Sequence, residues 1–355
     1  MAQKDWRAEI TIDGQKFRDW TSIEAYDAPM EDTCRHFRFS CTEGSPAPKV
    51  MSNMRIKPGQ ECSITLAGEK FLSGFVNYRE AVIDAYRHGV LIAGRGKTQD
   101  LIDSSVIFSK DQKGQHKNMT FQEISEKLLK DYGIQLKIFN PSDEMQKKFE
   151  NYQLQPGETA FNAIERMARM RKITLAEDEQ GNLIAYGKPK EGGGETLEEG
   201  KNIKRASCRI IDWQNYSQVL YLGQTQGGTN NKQGEWGRPI AQVEAQESDG
   251  TTKRNRPIQM MPEHTEQDIK ARTTNENWNN VRFRIDCEIT VTGWTAGDGG
   301  KLWEAGNQAM VKAPSLILSE KLAIKRVCFT QDNARGTETT MNLSNWTEST
   351  MDLGA

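Results

Sequence analysis

From Val281 to Thr292 the chain alternates without a break. Val281, Phe283, Ile285, Cys287, Ile289 and Val291 are apolar or small, while Arg282, Arg284, Asp286, Glu288, Thr290 and Thr292 are polar. Side chains on a strand point to opposite faces in turn, so this run is a strand with one face on a core. Its other face meets water or a polar partner. The neighbours such a strand needs have to come from elsewhere in the chain.

Other runs obey the same rule. Trp6, Ile10 and Ile12 precede the turn Asp13-Gly14, and Phe17, Trp20 and Ile23 follow it. Phe37, Phe39 and Cys41 share one face of the run from Arg35 to Cys41. Cys62, Ile64 and Leu66 lead to the turn Ala67-Gly68-Glu69, Phe71, Gly74 and Val76 return, and Val82 to Ala93 adds a pair across Arg87-His88-Gly89. A second β region begins with Cys208, Ile210, Ile211 and Trp213. It is completed by Ala309–Val311, Leu316–Leu318, Leu322–Ile324, Val327–Phe329 and Thr339–Leu343. Short strands between regular turns read as small barrels or sandwiches. The two regions share a faint echo. Pro58-Gly59, Cys62, Ile64, Leu66, a turn, then Leu72 and Val76 resemble Ala305-Gly306, Met310, a turn, then Leu316, Leu318, Leu322 and Ile324. A duplicated barrel fits that echo, and so does chance likeness between two β regions.

Between these regions the apolar period changes from two to that of a helix. Thr120-Phe121-Gln122-Glu123 is a capping box, opening a helix with Ile124, Leu128 and Tyr132 inward and Gly133 at its end. Ile134, Leu136 and Ile138 form a strand. Tyr152 and Leu154 form another, followed by the turn Pro156-Gly157 and by Thr159 as a helix cap. Ala160, Ala163, Ile164, Met167, Ala168 and Met170 make one apolar stripe. Ile173, Leu175, Leu183 and Ala185 then form a hairpin around Asp178–Asn182. Arg166, Arg169, Arg171 and Lys172 give that helix a basic face, either solvated or set against an acidic neighbouring subunit. Residues 191–205 are rich in Gly and Glu and read as a linker. The polar stretch Glu263–Asn280 reads as a helix capped by Thr265. The expected organisation is β at 1–104, mixed α/β at 105–190, linker at 191–205, β at 206–235 and 279–350, and a polar insert with a helix at 236–278.

Composition excludes several functions. A net charge of −2 over 355 residues makes no electrostatic case for nucleic-acid binding. The longest apolar run, Gly89–Gly94, is far short of a membrane span, and Met-Ala-Gln-Lys-Asp-Trp has no signal-peptide core. The 6 cysteines lie at 34, 41, 62, 208, 287 and 328 with no CxxC pair, which reads as free thiols from a reducing cytoplasm. Gly94-Arg95-Gly96-Lys97-Thr98 follows a strand like a phosphate loop, but Leu91 stands where the motif needs its first glycine. Cys34 and His36 share a strand face that Cys41 does not, so no metal site is expected. No nucleophile elbow, HExxH or Cys–His pairing is present. No catalytic residue, cofactor or enzyme activity is expected. Pro156-Gly157-Glu158-Thr159-Ala160-Phe161 resembles the opening of a LysM peptidoglycan-binding module, which continues with a second helix where a hairpin follows here.

Four stretches in order resemble the baseplate hub, or tail protein, of Mu-like contractile-tailed phages, a family related to the late-control D proteins. The first is Trp20-Thr21-Ser22-Ile23 with Arg35–Cys41. The second is Gly94-Arg95-Gly96-Lys97-Thr98-Gln99-Asp100-Leu101-Ile102-Asp103-Ser104-Ser105. The third runs from Gly157-Glu158-Thr159-Ala160-Phe161 to Asp178-Glu179-Gln180-Gly181-Asn182-Leu183. The fourth runs from Val291-Thr292-Gly293-Trp294 through Gly299, Leu302-Trp303, Leu322–Ile324, Val327 and Phe329 to Gly336-Thr337. The family often has small apolar residues where Cys34, His36 and Cys41 stand, and 226–280 matches poorly.

The resemblance implies an α+β, mainly β chain: two tube-type antiparallel β-barrels with inserted small α/β domains. It implies a homotrimeric, pseudo-sixfold ring in the virion tail baseplate, assembled in the host bacterial cytoplasm. The ring joins the tail tube protein to the central spike protein among other baseplate proteins. DNA passes through its channel, and the protein is not stably inserted in a membrane. The polar strand face carrying Arg282, Arg284, Asp286 and Glu288 is then expected on the lumen or at a subunit joint. The alternatives are a LysM-like peptidoglycan-binding protein or a cell-wall-degrading tail protein.

Overall fold

In the first β region, two-residue turns set the hairpins. Asp13-Gly14 joins β1 (Ala8–Ile12) to β2 (Gln15–Phe17), with φ of 50° and 76°. β3 (Ser22–Ala28) and β4 (Asp32–Glu43) pair antiparallel. Ala67-Gly68, at 49° and 83°, joins β5 (Glu61–Leu66) to β6 (Glu69–Ile83), and β7 (His88–Gly96) returns along β6. Positive φ at both central residues matches the right-handed twist of the flanking strands, and glycine adopts it at no steric cost. The computed structural model describes residues 6–29, 32–43, 56–83, 88–107, 114–171, 173–187, 195–211, 218–224, 239–245, 257–260, 285–297 and 300–345.

The mixed region follows as α1 (Gln99–Asp103), β8 (Gln115–Met119), α2 (Phe121–Leu129), β9 (Leu136–Phe139), α3 (Asp143–Gln146), β10 (Phe149–Gln153), α4 (Ala160–Met170), β11 (Thr174–Glu177) and β12 (Leu183–Tyr186). The helix caps expected at Thr120 and Thr159 form. Thr120 and Glu123 make the reciprocal box, and Thr159 accepts from the Asn162 N–H at 3.1 Å. Gly133 closes the α2 segment in the left-handed conformation at φ 65°. Ile124, Leu128, Ala163, Ile164, Met167 and Leu183 belong to one separate buried core.

The chain then gives β13 (Leu197–Glu198), β14 (Ile203–Ile210), β15 (Gln218–Gln224), β16 (Pro239–Ala245), β17 (Pro257–Met260), β18 (Ile285–Thr292), β19 (Gln308–Ala313), β20 (Leu318–Asp332) and β21 (Gly336–Ser344). β18 keeps the expected alternation, with Ile285, Cys287, Ile289 and Val291 buried and Glu288 and Thr292 exposed. The stretch read as linker carries structure in its second part: Leu197 is buried and β13 pairs with β19. The helix expected at 263–280 and the start of the alternating run, 281–284, lie outside the described residues. The described parts of the polar insert are strands, pairing with β15 in a sheet of their own.

A single 13-stranded sheet runs β14-β18-β21-β20-β3-β4-β7-β6-β5-β1-β2, with β19 on β20 and β13 on β19. Its apolar face forms one core containing Phe37, Phe39, Ile64, Trp294, Val311, Phe329 and Leu343. The fold is mainly β with small helices, as expected, but no pairing among the described residues closes either half into a barrel. Among the described residues, no strand lies on the outer side of β14.

The two halves repeat one another in detail. At one corner Gly59 (φ 90°) donates to the Val76 carbonyl at 2.7 Å, and Val76 N–H returns to Gln60 at 3.0 Å. At the other, Gly306 (φ 88°) donates to Ile324 at 2.8 Å, and Ile324 N–H returns to Asn307 at 2.9 Å. Each corner is followed by a bulge, between Val76 and Tyr78 and between Ile324 and Arg326. β5, β6, β7, β4 and β3 therefore correspond to β19, β20, β21, β18 and β14. The equivalents of Cys62 and Ile64 are Ala309 and Val311, which are buried. This corrects the Met310 alignment by one residue. Leu322–Ile324 and Val327–Phe329, read as separate runs, are one strand broken in phase by the bulge.

The free-thiol reading also needs correction. Cys208 and Cys287 face each other across β14 and β18 and are disulfide-bonded, while Cys34, Cys41, Cys62 and Cys328 are in no disulfide. The pairing sits 79 residues apart in sequence and comes from strand register alone.

Candidate functional site

Two joints hold the molecule together. The first is the seam between the halves, where β20 pairs antiparallel with β3 from Val327↔Asp27 to Asp332↔Ser22. Ile23, Ala25, Val327 and Phe329 are buried on its core side, and Phe71 meets Phe329 edge-on at 5.6 Å. On the other face the Arg326 guanidinium lies over Tyr26, 4.9 Å from the ring centroid. A seam with continuous backbone pairing and a dry apolar side transmits force as one sheet.

The second joint fixes the mixed region onto the first half. Glu177, at the end of β11, is buried and accepts from the backbone N–H of Arg35 at 2.8 Å and of Thr98 at 3.0 Å. Burial pushes its carboxyl up from 4.5 to about 7, against the pull of those two donors and of the Arg35 charge. Gly96 admits this carboxylate: a Cβ there would stand 1.9 Å from Glu177 Oε2. Ser73 Oγ donates to the Glu179 carbonyl at 3.0 Å. Arg35, also buried, donates to Asp27 Oδ2 at 3.2 Å and to the Phe71 carbonyl at 2.7 Å. A buried ion pair of this kind serves orientation more than net stability. Beside it, a cleft of about 390 Å³ is lined by Asp27, Arg35, Phe71, Glu179, Lys301 and Glu304.

The Thr98 amide, which a phosphate would require, is taken by the chain's own carboxylate, so Gly94–Thr98 is a docking turn. Cys41 packs in the core with Phe37 and Phe39, while His36 stacks on Tyr26 at 4.4 Å on the opposite face. No cluster of metal-ligating side chains occurs among the described residues, and no helix there is long and apolar enough to cross a membrane.

The basic face of α4 is partly spent inside its own domain. Arg166 makes a bidentate pair with Glu158 at 2.9 and 3.1 Å and covers the Tyr152 ring at 4.4 Å. Arg171 lies over Phe149 at 4.3 Å. Arg169 is exposed and pairs with Glu165 at 2.7 Å. Lys172 lies outside the described residues. Asp286 and Glu288 sit on the polar face of β18, opposite Arg209 and Ser207 of β14, while Arg282 and Arg284 lie outside the described residues. Sequence reasoning missed Glu177 and the Asp27–Arg35 pair, whose only signal was an acid closing an apolar strand and an arginine flanked by core positions.

The described residues form a duplicated β frame with a mixed domain keyed into it. The chain belongs to the baseplate hub family of Mu-like phage tails. Residues 7–96 match the family model for the Mu phage baseplate assembly protein GpP-like N-terminal domain, and 98–187 match the second domain of the gp44-like baseplate hub protein. The chain is 23% identical over 338 residues to baseplate hub protein gp44 of Escherichia phage Mu, covering 94% of this chain and 86% of that one. Among solved structures it is similar to the 43 kDa tail protein of prophage MuSo2 from Shewanella oneidensis. The TM-score is 0.80 with 24% identity, over 95% of this chain and 97% of that one. The tail protein from Neisseria meningitidis MC58 has the same fold, with a TM-score of 0.75, 16% identity and 96% of each chain covered.

Proposed function

We propose that three copies of this hub form a pseudo-sixfold ring joining the tail tube to the central spike, with a channel that passes DNA without reading it. The carrying observation is the duplication: each chain holds two equivalent half-sheets already joined edge to edge. Three such chains present six similar surfaces, which reconciles a sixfold tube with a threefold spike. A head-to-tail contact whose rotation closes gives a ring. The partners are its own copies, the spike, the tube and other baseplate proteins, met in the virion tail baseplate after assembly in the host cytoplasm. The work is mechanical, not catalytic. In this reading 1–104 and 206–235 with 279–350 are the ring-forming units, 191–205 adds β13 and the start of β14 to them, and 105–190 and 236–278 are insertions.

Sedimentation of the purified chain tests this directly. A trimer is expected. A strict monomer at high concentration contradicts the ring, and release of soluble fragments from purified peptidoglycan would make the protein a wall-degrading enzyme instead.

A further inference from the structure

The seam β20–β3 has a counterpart that is open among the described residues. By the equivalence of the halves, the tail of β6 corresponds to the seam part of β20, with Arg79, Ala81 and Ile83 matching Val327, Phe329 and Gln331. β14 corresponds to β3, with Ala206, Cys208 and Ile210 matching Ile23, Ala25 and Asp27. β3 and β20 satisfy each other. The β6 tail has β7 on one side only, and β14 has β18 on one side only, among the described residues. Exposure follows the same division: Val327, Phe329 and Ala25 are fully buried, whereas Ile83 is 75% and Ile210 51% exposed. Tyr78 and Val82, on the same β6 tail, are exposed as well. An open edge flanked by exposed apolar side chains invites another strand.

Resting on the ring reading, we propose that the β6 tail of one copy pairs antiparallel with β14 of the next, in the register that the intrachain seam dictates. That register sets Arg79 opposite Ile210, Glu80 opposite Arg209, Ala81 opposite Cys208, Val82 opposite Ser207 and Ile83 opposite Ala206. Nothing in the equivalence required complementary chemistry, yet Glu80 falls on Arg209, which has Asp286 on its other side across β18. The polar face of the joint becomes a row of alternating charge, and opposite charges facing across strands favour pairing. On the core face, Ala81, Ile83 and Ile210 become covered. The occupant is a second copy of this chain, because its edge is the one that repeats the partner already seen inside the chain.

The test combines cross-linking with sedimentation. In the full chain carrying Val82→Cys and Ser207→Cys, mild oxidation should give a covalently closed trimer, since directly opposed residues lie within disulfide reach. Val82→Cys with Arg209→Cys, two residues out of register, should cross-link far less, and each single variant should not cross-link into a trimer. Glu80→Arg and Arg209→Glu should each raise the concentration for half-assembly about tenfold over three joints, and the double swap should restore it. A sedimenting trimer that cross-links out of register, or not at all, overturns the pairing and leaves the ring standing. An unmodified chain that never trimerises overturns the ring reading itself.

Discussion

Glu177 is held by two backbone N–H groups and sealed from water, so its charge costs more in the folded protein than in an open chain. Its carboxyl titrates near 7 rather than 4.5. The folded state therefore binds the proton more tightly than the unfolded one. The stability it contributes is full below the unfolded value and is lost as pH rises through 4.5 to about 7. Thermal unfolding of the mixed region should accordingly occur at lower temperature at pH 8 than at pH 5. Glu177→Gln should remove most of that difference while costing about 1–3 kcal/mol at pH 5, because its amide must face one of the two donors. A pH slope unchanged in the variant would show that another group carries it. Gly96→Ala probes the same contact sterically. Its methyl cannot coexist with the carboxylate, so it should loosen the mixed region from the sheet, read as faster hydrogen exchange in β11 and α1.

The corners and caps decide the elements. Gly59 and Gly306 have nearly the same φ and make the same pair of hydrogen bonds, so alanine at either position meets the same strain. Each substitution should destabilise by about 1–2 kcal/mol, and by similar amounts, in chemical denaturation. A large effect at one corner and none at the other would contradict the equivalence of the halves. Thr159→Ala should cost about 1 kcal/mol through the lost cap on α4. The caps and turns were legible in the sequence because they are local: a cap precedes its stripe and a turn needs its glycine, whereas the bulge after Ile324 was read as a break between two runs. The Cys208–Cys287 bond and the β20–β3 seam were not legible. Both depend on register between strands far apart in the chain, and no residue near either announces its partner. Glu177 was hidden for a related reason, since an acid before a turn ordinarily faces solvent.

At the scale of the whole molecule, the duplication faintly visible around Pro58-Gly59 and Ala305-Gly306 becomes the main architectural fact. One chain contains a joined pair of half-sheets and, among the described residues, two unjoined edges of the same kind. No pairing among the described residues closes the expected barrels, and on this account closure of the β surface belongs to the assembly. The most direct measurement is end-on electron microscopy of the purified hub without imposed symmetry. The account predicts a ring with an open centre and six similar lobes, threefold when the inserted domains are included. A twofold particle, or a compact threefold one with no central opening, would contradict it.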